Sequence, residues 1–457
     1  MRKYNLRLNK LTMDHRIFIN IASYRDQELW QTLDSVITQA EDASKLHIAI
    51  YWQDDNDLNR LIEAGWAPAS VSAIAGFPVY QLQGSAALVE LIALPYQKAQ
   101  GVGFARALCD QLYQDEQWFL QIDAHSLFDK MWDRRLIDTL ATLSQQCTKP
   151  LISNYPPSYH TTPEGDIVFA KHAHRVTFNT FNPEGLPTLA SRVLTSTYPV
   201  QGSFLAAGFI FTQGAFVTEV GNDSTIFFEG EEITLSLRAF SWGYDIYHLG
   251  YPVLWHHYTR QDAPKIWNDQ SLSAQQAGEV DRTWISRELR SQQHVKRLLG
   301  LPTLSQFKAG DKTLGPLRTR QQFEHQCGLN FQLASCYADC LSPECRSHFP
   351  PPPNDAAWRN AHRIYHTKPI NVTSLIGSTL PDKLFIHLYG LNTPRLAQYQ
   401  YSTAQVMARS GRLDITCWST PNRPPSLIRL ASWWEGSGWG IIIEWPWSKE
   451  DGPYCLL

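Results

Sequence analysis

The sequence predicts an α/β domain followed by a smaller, mostly β domain, and three observations carry that expectation. Apolar runs of strand length alternate with amphipathic helical stretches over about the first 300 residues. Polar residues gather where those runs end. After the Pro-rich stretch Phe349-Pro-Pro-Pro-Pro353, helical periodicity gives way to short apolar runs separated by Pro, Asn and Gly. The boundaries expected from these shifts are a first domain over 1–305, a linker over 306–354 and an accessory β-rich domain over 355–457.

The first strand is Arg16-Ile-Phe-Ile-Asn-Ile21, ending in the polar turn Ala22-Ser-Tyr-Arg-Asp26. A helix follows, with Leu29, Leu33, Val36, Ile37 and Ala40 at helical spacing. The run Leu46-His-Ile-Ala-Ile-Tyr-Trp52 is a second strand that stops at Gln53-Asp54-Asp55. In open α/β sheets, ligands bind outside the carboxyl ends of the strands, so Ser23 to Asp26 and Gln53 to Asp55 are expected on one ligand-facing edge. A turn and short helix at Gly101-Val-Gly-Phe-Ala-Arg106 precede the strand Trp118-Phe-Leu-Gln-Ile122, which ends in Asp123-Ala-His125. Trp132, Leu136, Ile137, Leu140 and Leu143 mark another amphipathic helix, and Pro150 to Tyr155 another strand.

Residues 156–200 read as loops or short strands, and Gly202 to Phe211 as a Gly-punctuated apolar stretch. Gly230 followed by Glu231 and Glu232 suits a helix start, where negative charge is favoured. Tyr244 to His248 and Val253 to Trp255 read as a pair of strands leading into His256-His-Tyr-Thr-Arg260, and residues 261–300 as polar and helical. In the last hundred residues, Leu384 to Leu388, Leu413 to Trp418 and Gly440 to Trp445 read as strands.

Composition excludes several roles. The net charge of -3 announces no nucleic-acid partner, and no apolar run approaches the roughly 20 residues of a membrane-spanning helix. The basic start, Met1 to Leu8, lacks an apolar core and makes a poor secretory signal. Eight cysteines without such a signal fit reduced thiols and a cytoplasmic location. Cys327, Cys336, Cys340 and Cys345, near His348, have enough ligands for a structural zinc, although the spacing is not that of a standard knuckle.

The chemistry concentrates at Asp123 and His125. A carboxylate and an imidazole two residues apart, just past a strand, can share a divalent cation that bridges two phosphates. Mixed oxygen and nitrogen ligands suit Mn²⁺ better than Mg²⁺. A third ligand is expected from His256 or His257, and only one of the two can reach, because neighbours in an extended segment point opposite ways. Arg106 lies where it could meet phosphate or an acidic strand end. Glu231 and Glu232 are candidates to hold sugar hydroxyls or position an acceptor, and Asp54 to contact a base or ribose. Asp26 reads equally as a helix cap or a ligand.

Taken in order, Ile19-Asn-Ile-Ala-Ser-Tyr-Arg-Asp26, Gly103-Phe-Ala-Arg106, Phe119-Leu-Gln-Ile-Asp-Ala-His125 with Trp132-Asp133, Phe228-Glu-Gly-Glu-Glu232 and Trp255-His-His-Tyr-Thr-Arg260 resemble the GT60-type N-acetylglucosaminyltransferases, the family that includes the enzyme acting on hydroxyproline of Skp1. The resemblance covers about residues 15–300 and extends more distantly to mucin-type GalNAc transferases. It implies a Rossmann-like GT-A domain, a UDP-GlcNAc donor, Mn²⁺ or Mg²⁺, retention of anomeric configuration and a protein or peptide acceptor. Carried over by position, Asp123, His125 and His256 are the metal ligands. Ala22, Ser23, Tyr24, Arg25, Asp54, Arg106 and Asp123 are donor-binding residues, and Glu231 and Glu232 serve the reaction. Two rivals come from other classes. One is a metal-dependent phosphoesterase, which usually needs two metals and more His and Asn ligands. The other is a carbohydrate- or peptide-binding protein built on Trp433, Trp434, Trp439, Trp445 and Trp447.

Overall fold

The computed structural model describes residues 16–55, 57–260, 262–304, 312–373, 380–390, 395–421 and 423–447. The basic stretch from Met1 to Leu8 lies outside them. The chain packs as two units: one of residues 1–179, 188–327 and 347–349, the other of 180–187, 328–346 and 350–457.

The first unit is built on a ten-stranded mixed sheet. Its strands are β1 (Ile17–Tyr24), β2 (Leu46–Asp54), β3 (Ala67–Ile74), β4 (Phe77–Gln83), β5 (Leu88–Pro95), β6 (Trp118–Asp123), β8 (Pro150–Ser153), β9 (Val200–Gly202), β10 (Phe209–Gln213) and β11 (Asp245–His248). Two strands outside it, β7 (Ser126–Phe128) and β12 (Leu254–His256), pair antiparallel with each other. The order across the large sheet is β9-β11-β8-β10-β6-β1-β2-β5-β4-β3. The strands expected at Tyr244 to His248 and Val253 to Trp255 both form, but not as a pair. The first joins β8 and β9, and the second joins β7.

β1 runs parallel to both β2 and β6. The chain winds from β1 through β2 towards β5 on one side, then returns to lay β6 on the other. Between β1 and β6 the winding reverses, which opens a crevice at the carboxyl ends of both strands. The register sets Ala22 beside Asp123 there.

Both faces of the sheet are covered, which explains the near-continuous apolar runs. Ile17, Ile19 and Ile21 face one core with Leu29, Leu33 and Val36 of α1 (Leu29–Thr38). Phe18 faces the other, with Ala105 and Leu108 of α2 (Val102–Cys109). Each fully buried Ile or Leu contributes about 1.5–3 kcal/mol. Trp132, Leu136 and Leu140 of α3 (Trp132–Leu143) join the first core. Leu235 and Ala239 of α4 (Glu231–Ser241) join the second. α4 starts at Gly230, whose φ of 86° suits glycine and whose Cβ would sit 2.6 Å from Val295. Two further helices, α5 (Ile266–Asp269) and α6 (Trp284–Leu299), lie in the polar stretch that follows.

The second unit holds two four-stranded sheets. One orders β13 (Leu329–Asn330), β14 (Ser335–Tyr337), β15 (His362–Asn371) and β18 (Arg412–Ser419). The other orders β17 (Arg395–Ser402), β16 (Lys383–Gly390), β19 (Pro425–Trp434) and β20 (Gly438–Pro446). Ile370, Leu413 and Ile415 meet Leu384, Ile386, Leu388, Ile428 and Leu430 in a shared core. The alternation along β16 places Phe385, His387 and Tyr389 on its outer face. β20 ends its sheet among the described residues and exposes Trp439, Ile441 and Ile442. The mostly β character expected of the C-terminal region is what forms.

Candidate functional site

β6 delivers Asp123 to the crevice, and the turn after it is clamped from α1. Thr32 Oγ1 donates to Ala124 O at 3.0 Å and accepts from Ser126 N at 2.8 Å. Ser126 Oγ donates to Asp123 O at 3.0 Å. The β7–β12 pairing then sets His256 opposite Ser126, and His257 N donates to His125 O at 3.1 Å. A distant segment thus arrives beside the Asp-x-His turn through backbone bonds alone.

The side chains converge accordingly. His256 Nε2 lies 3.2 Å from Asp123 Oδ2 and 2.9 Å from His125 Nε2. The three ligand atoms sit within 4.8 Å of one another. His257 faces the other way, with Nδ1 2.7 Å from Glu28 Oε1. Behind the cluster, His125 Nδ1 meets Asp26 Oδ2 at 2.8 Å, and Arg260 Nη1 donates to the same oxygen at 2.7 Å. Arg260 Nη2 lies 2.9 Å from His125 Nε2. Asp26 Oδ1 also accepts from Glu28 N at 3.0 Å, so this residue serves both a turn and the site.

Burial alone would raise the Asp123 carboxyl, but the His256 hydrogen bond and the Arg106 charge outweigh it and hold it well below the usual carboxylate range. Burial pushes His256 down against the raising effect of Asp123, which favours the neutral ring that a metal ligand needs. One ionised carboxylate and imidazole nitrogens facing it fit a divalent cation of the Mn²⁺ type. The Asp26 carboxylate on the far side of His125 is the kind of support that fixes a ligating ring's tautomer.

Arg106 is buried beneath the cluster. Its Nη2 donates to Asp123 Oδ1 at 2.7 Å and its Nη1 to Glu231 Oε1 at 2.6 Å. Of the two partners foreseen for it, the structure supplies the acidic strand end. Burial raises the Glu231 carboxyl against the lowering effect of Arg106. Glu232 accepts from Tyr155 Oη and, at 3.1 Å, from Ala207 N, and burial pushes its carboxyl up to about 7.

A cleft of about 320 Å³ opens over these groups. Asp26, Asp123, His125, His256 and Arg260 line one side. The other side is largely apolar, with Tyr24, Val102, Phe227, Phe228 and Trp267. Ala22 and Gln53 complete the strand-end floor. Not every expected donor residue faces in. Ser23 is buried. Arg25 turns to Asp269, with both contacts at 3.0 Å, and lies over the Tyr96 ring. Asp54 accepts from Arg60 at 2.5 Å. The roles of Arg260 and Gln53, and the aromatic wall from Phe228 and Trp267, were not assigned from the sequence, and Asp26 was left between a helix cap and a ligand. Only the positions of Asp26 and Gln53 at strand ends signalled them.

Nothing supports the zinc expectation at Cys327, Cys336, Cys340 and Cys345. The group of converging metal-type ligands among the described residues is Asp123, His125 and His256. No helix among the described residues is long and apolar enough to cross a membrane.

A family model described as Glycosyltransferase (GlcNAc) matches residues 16–75 and 77–325. No curated protein matches. Among solved structures, the chain is similar to GalNAc-T7 with UDP, GalNAc and Mn²⁺, at 15% identity and a TM-score of 0.43, over 62% of this chain and 48% of that one. It is also similar to residues 1–349 of S. aureus TarS, at 10% identity and a TM-score of 0.32, over 62% and 71% of the two chains. A mannosyltransferase from Pyrobaculum calidifontis with GDP-Man and Mn²⁺ aligns at 10% identity and a TM-score of 0.32, over 62% and 63%. The alignment thus spans about half the length of the GalNAc-T7 chain.

Proposed function

The chain belongs to the Glycosyltransferase (GlcNAc) family, and on that premise we propose that it transfers N-acetylglucosamine, or a related sugar, from a UDP-sugar to a protein or peptide acceptor with retention of configuration. The observation that carries this reading is the convergence of Asp123, His125 and His256 at the crevice between β1 and β6, inside the matched span. These three residues would hold Mn²⁺ or Mg²⁺. The ion supplies neutralisation of charge on the departing diphosphate.

The chain's own residues do the rest. Asp26 orients the His125 ring, and Arg106 keeps Asp123 ionised and in place. Arg260, on the cleft wall, is placed to meet a phosphate oxygen. Glu232, held by Tyr155 and Ala207 N and titrating near 7, serves to bind a hydroxyl of the sugar or acceptor, and Glu231 braces Arg106. The fixed placement of donor and acceptor supplies much of the rate.

The region over 355–457 is proposed to select the acceptor, a reading supported by the exposed Trp439, which lies against the half-buried Phe385 on the outer face of its sheet.

The test is nucleotide release from a panel of nucleotide-sugars with Mn²⁺, comparing the unaltered chain with Asp123→Ala and His125→Ala. UDP released from UDP-GlcNAc, lost with EDTA and in both variants, is the expected result. A folded, metal-loaded protein that binds and turns over no nucleotide-sugar would remove this reading and bring forward a phosphoesterase.

A further inference from the structure

Glu28 stands at the N-cap of α1, yet both of its carboxylate oxygens reach across the fold instead of serving that helix. Oε1 lies 2.7 Å from His257 Nδ1, and Oε2 accepts from Tyr159 Oη at 2.9 Å. These partners are 229 and 131 residues away along the chain. A carboxylate only accepts, so the first bond puts the ring proton of His257 on Nδ1. Tyr159 is buried, and its ring packs on that of His257 with centroids 5.1 Å apart. The near end of the link is fixed as well. Glu28 N donates at 3.0 Å to Asp26, the residue whose other oxygen meets His125.

The link meets the chain where ladder pairing stops. β12 is only three residues long and ends at His256, opposite Ser126. One backbone bond reaches past it, from His257 N to His125 O at 3.1 Å. Ends of short elements fray unless side chains hold them. Here both neighbours of His256 are held. The Trp255 indole donates to Ala170 O at 2.8 Å, and its ring lies 4.6 Å from that of Phe169. His257 is held by Glu28. Neighbours in an extended segment point opposite ways, so a His257 kept outward turns His256 inward. The register brings β12 to the cluster, and the side-chain tethers keep its last residue in place.

We propose that Glu28 is a positioning residue for the metal cluster: by holding His257 outward at the end of β12, it keeps the His256 ring aimed at Asp123 and His125. The proposal rests on the three-ligand reading above and adds the group that steadies the third ligand. Glu28 acts through the main chain and is not itself a ligand.

The test titrates Mn²⁺ into the full chain by calorimetry and counts the imidazoles on the ion by pulsed paramagnetic resonance. It compares the unaltered chain with Glu28→Ala, Glu28→Gln and His257→Leu. Glu28→Ala should bind Mn²⁺ roughly 10-fold more weakly, at the low end for groups that support ligands because it acts one residue removed, and should lose the signal of one of the two imidazoles. Glu28→Gln keeps an oxygen for Tyr159 and offers an N–H to a His257 ring of the other tautomer, so it should recover most of the affinity. His257→Leu cuts the same link from its far end and should weaken binding by the same factor, which also serves if Glu28→Ala fails to fold. The double variant should be no weaker than either single one. Full Mn²⁺ affinity with both imidazoles in folded Glu28→Ala or His257→Leu overturns the assignment, even if the melting temperature in EDTA falls, and leaves the three-ligand reading standing. If the unaltered chain binds no Mn²⁺, or Asp123→Ala binds it equally well, the reading on which the assignment rests falls with it.

Discussion

Gly208 precedes β10 and faces the metal cluster, and a single methyl there separates folding from metal binding. A Cβ built on Gly208 would lie 2.5 Å from Asp123 Oδ2, where ordinary contact begins at 3.4 Å. The carboxylate oxygen must therefore retreat by about 0.9 Å, several times the ~0.2 Å tolerance of a metal–ligand distance. The oxygen displaced is Oδ2, which converges with His256. Oδ1, held by Arg106, is the other one. Gly208 has no positive φ, so alanine is compatible with the backbone, and the clashing atom is the tip of a side chain. Gly208→Ala should fold with an unchanged melting temperature in EDTA and bind Mn²⁺ roughly 10- to 100-fold more weakly, on the scale of losses at groups that support ligands. Calorimetric or paramagnetic-resonance titration with Mn²⁺ reads the second quantity. Full Mn²⁺ affinity in a folded Gly208→Ala protein would show that Asp123 Oδ2 is not a ligand atom.

Other expectations follow from neighbouring features. Arg106→Met strands the Asp123 and Glu231 carboxylates, so urea unfolding in EDTA should show a loss of about 3–5 kcal/mol, with part of it recovered by Mn²⁺; equal losses with and without the ion would contradict that account. Saturating the site at about 100 times Kd should stabilise the unaltered chain by about 2.7 kcal/mol, and Asp123→Ala should abolish the shift. His248 is fully buried, Nδ1 facing Ser153 O at 2.6 Å, and burial depresses it from 6.5 to about 4. Between those values the unfolded chain takes up a proton that the folded chain refuses, so stability is present above pH 6.5 and falls as pH drops towards 4, by about 3 kcal/mol. His248→Gln should flatten that acid limb in urea titrations at several pH values. Trp439→Ala, at a side chain 58% exposed and 5.1 Å from the Phe385 ring, should leave donor hydrolysis intact and raise KM for the acceptor; an unchanged KM would count against acceptor selection by that face.

Much of the site was legible because its chemistry is local. Asp123 and His125 follow an apolar strand of ordinary length, and residues at the ends of β1 and β2 were placed on the ligand edge by the rule for open sheets. The third ligand was legible only as an alternative, since alternation says that His256 and His257 diverge but not which one turns inward. That choice is made by the β7–β12 register, a long-range property. The same holds for Asp26 and Arg260, whose partner His125 lies 99 and 135 residues away along the chain. β3 was not legible because exposed small and polar residues, as in Ala69-Ser-Val-Ser72, dilute the apolar signal of an edge strand, whereas β5, interior and apolar, carries a run that was left unassigned. The pairing of Tyr244 to His248 with Val253 to Trp255 was inferred from proximity along the chain, whereas each strand finds a partner elsewhere.

The open border of β20 has a practical consequence for anyone handling this protein. Among the described residues β20 ends its sheet, and a terminal strand that carries Trp439, Ile441 and Ile442 in water is a template for any extended chain that reaches it. Raising concentration or adding sulfate therefore promotes head-on adhesion between molecules, since excluded salts strengthen apolar burial. A lysine at Ile441 would act as a bumper at that border and keep solutions clear.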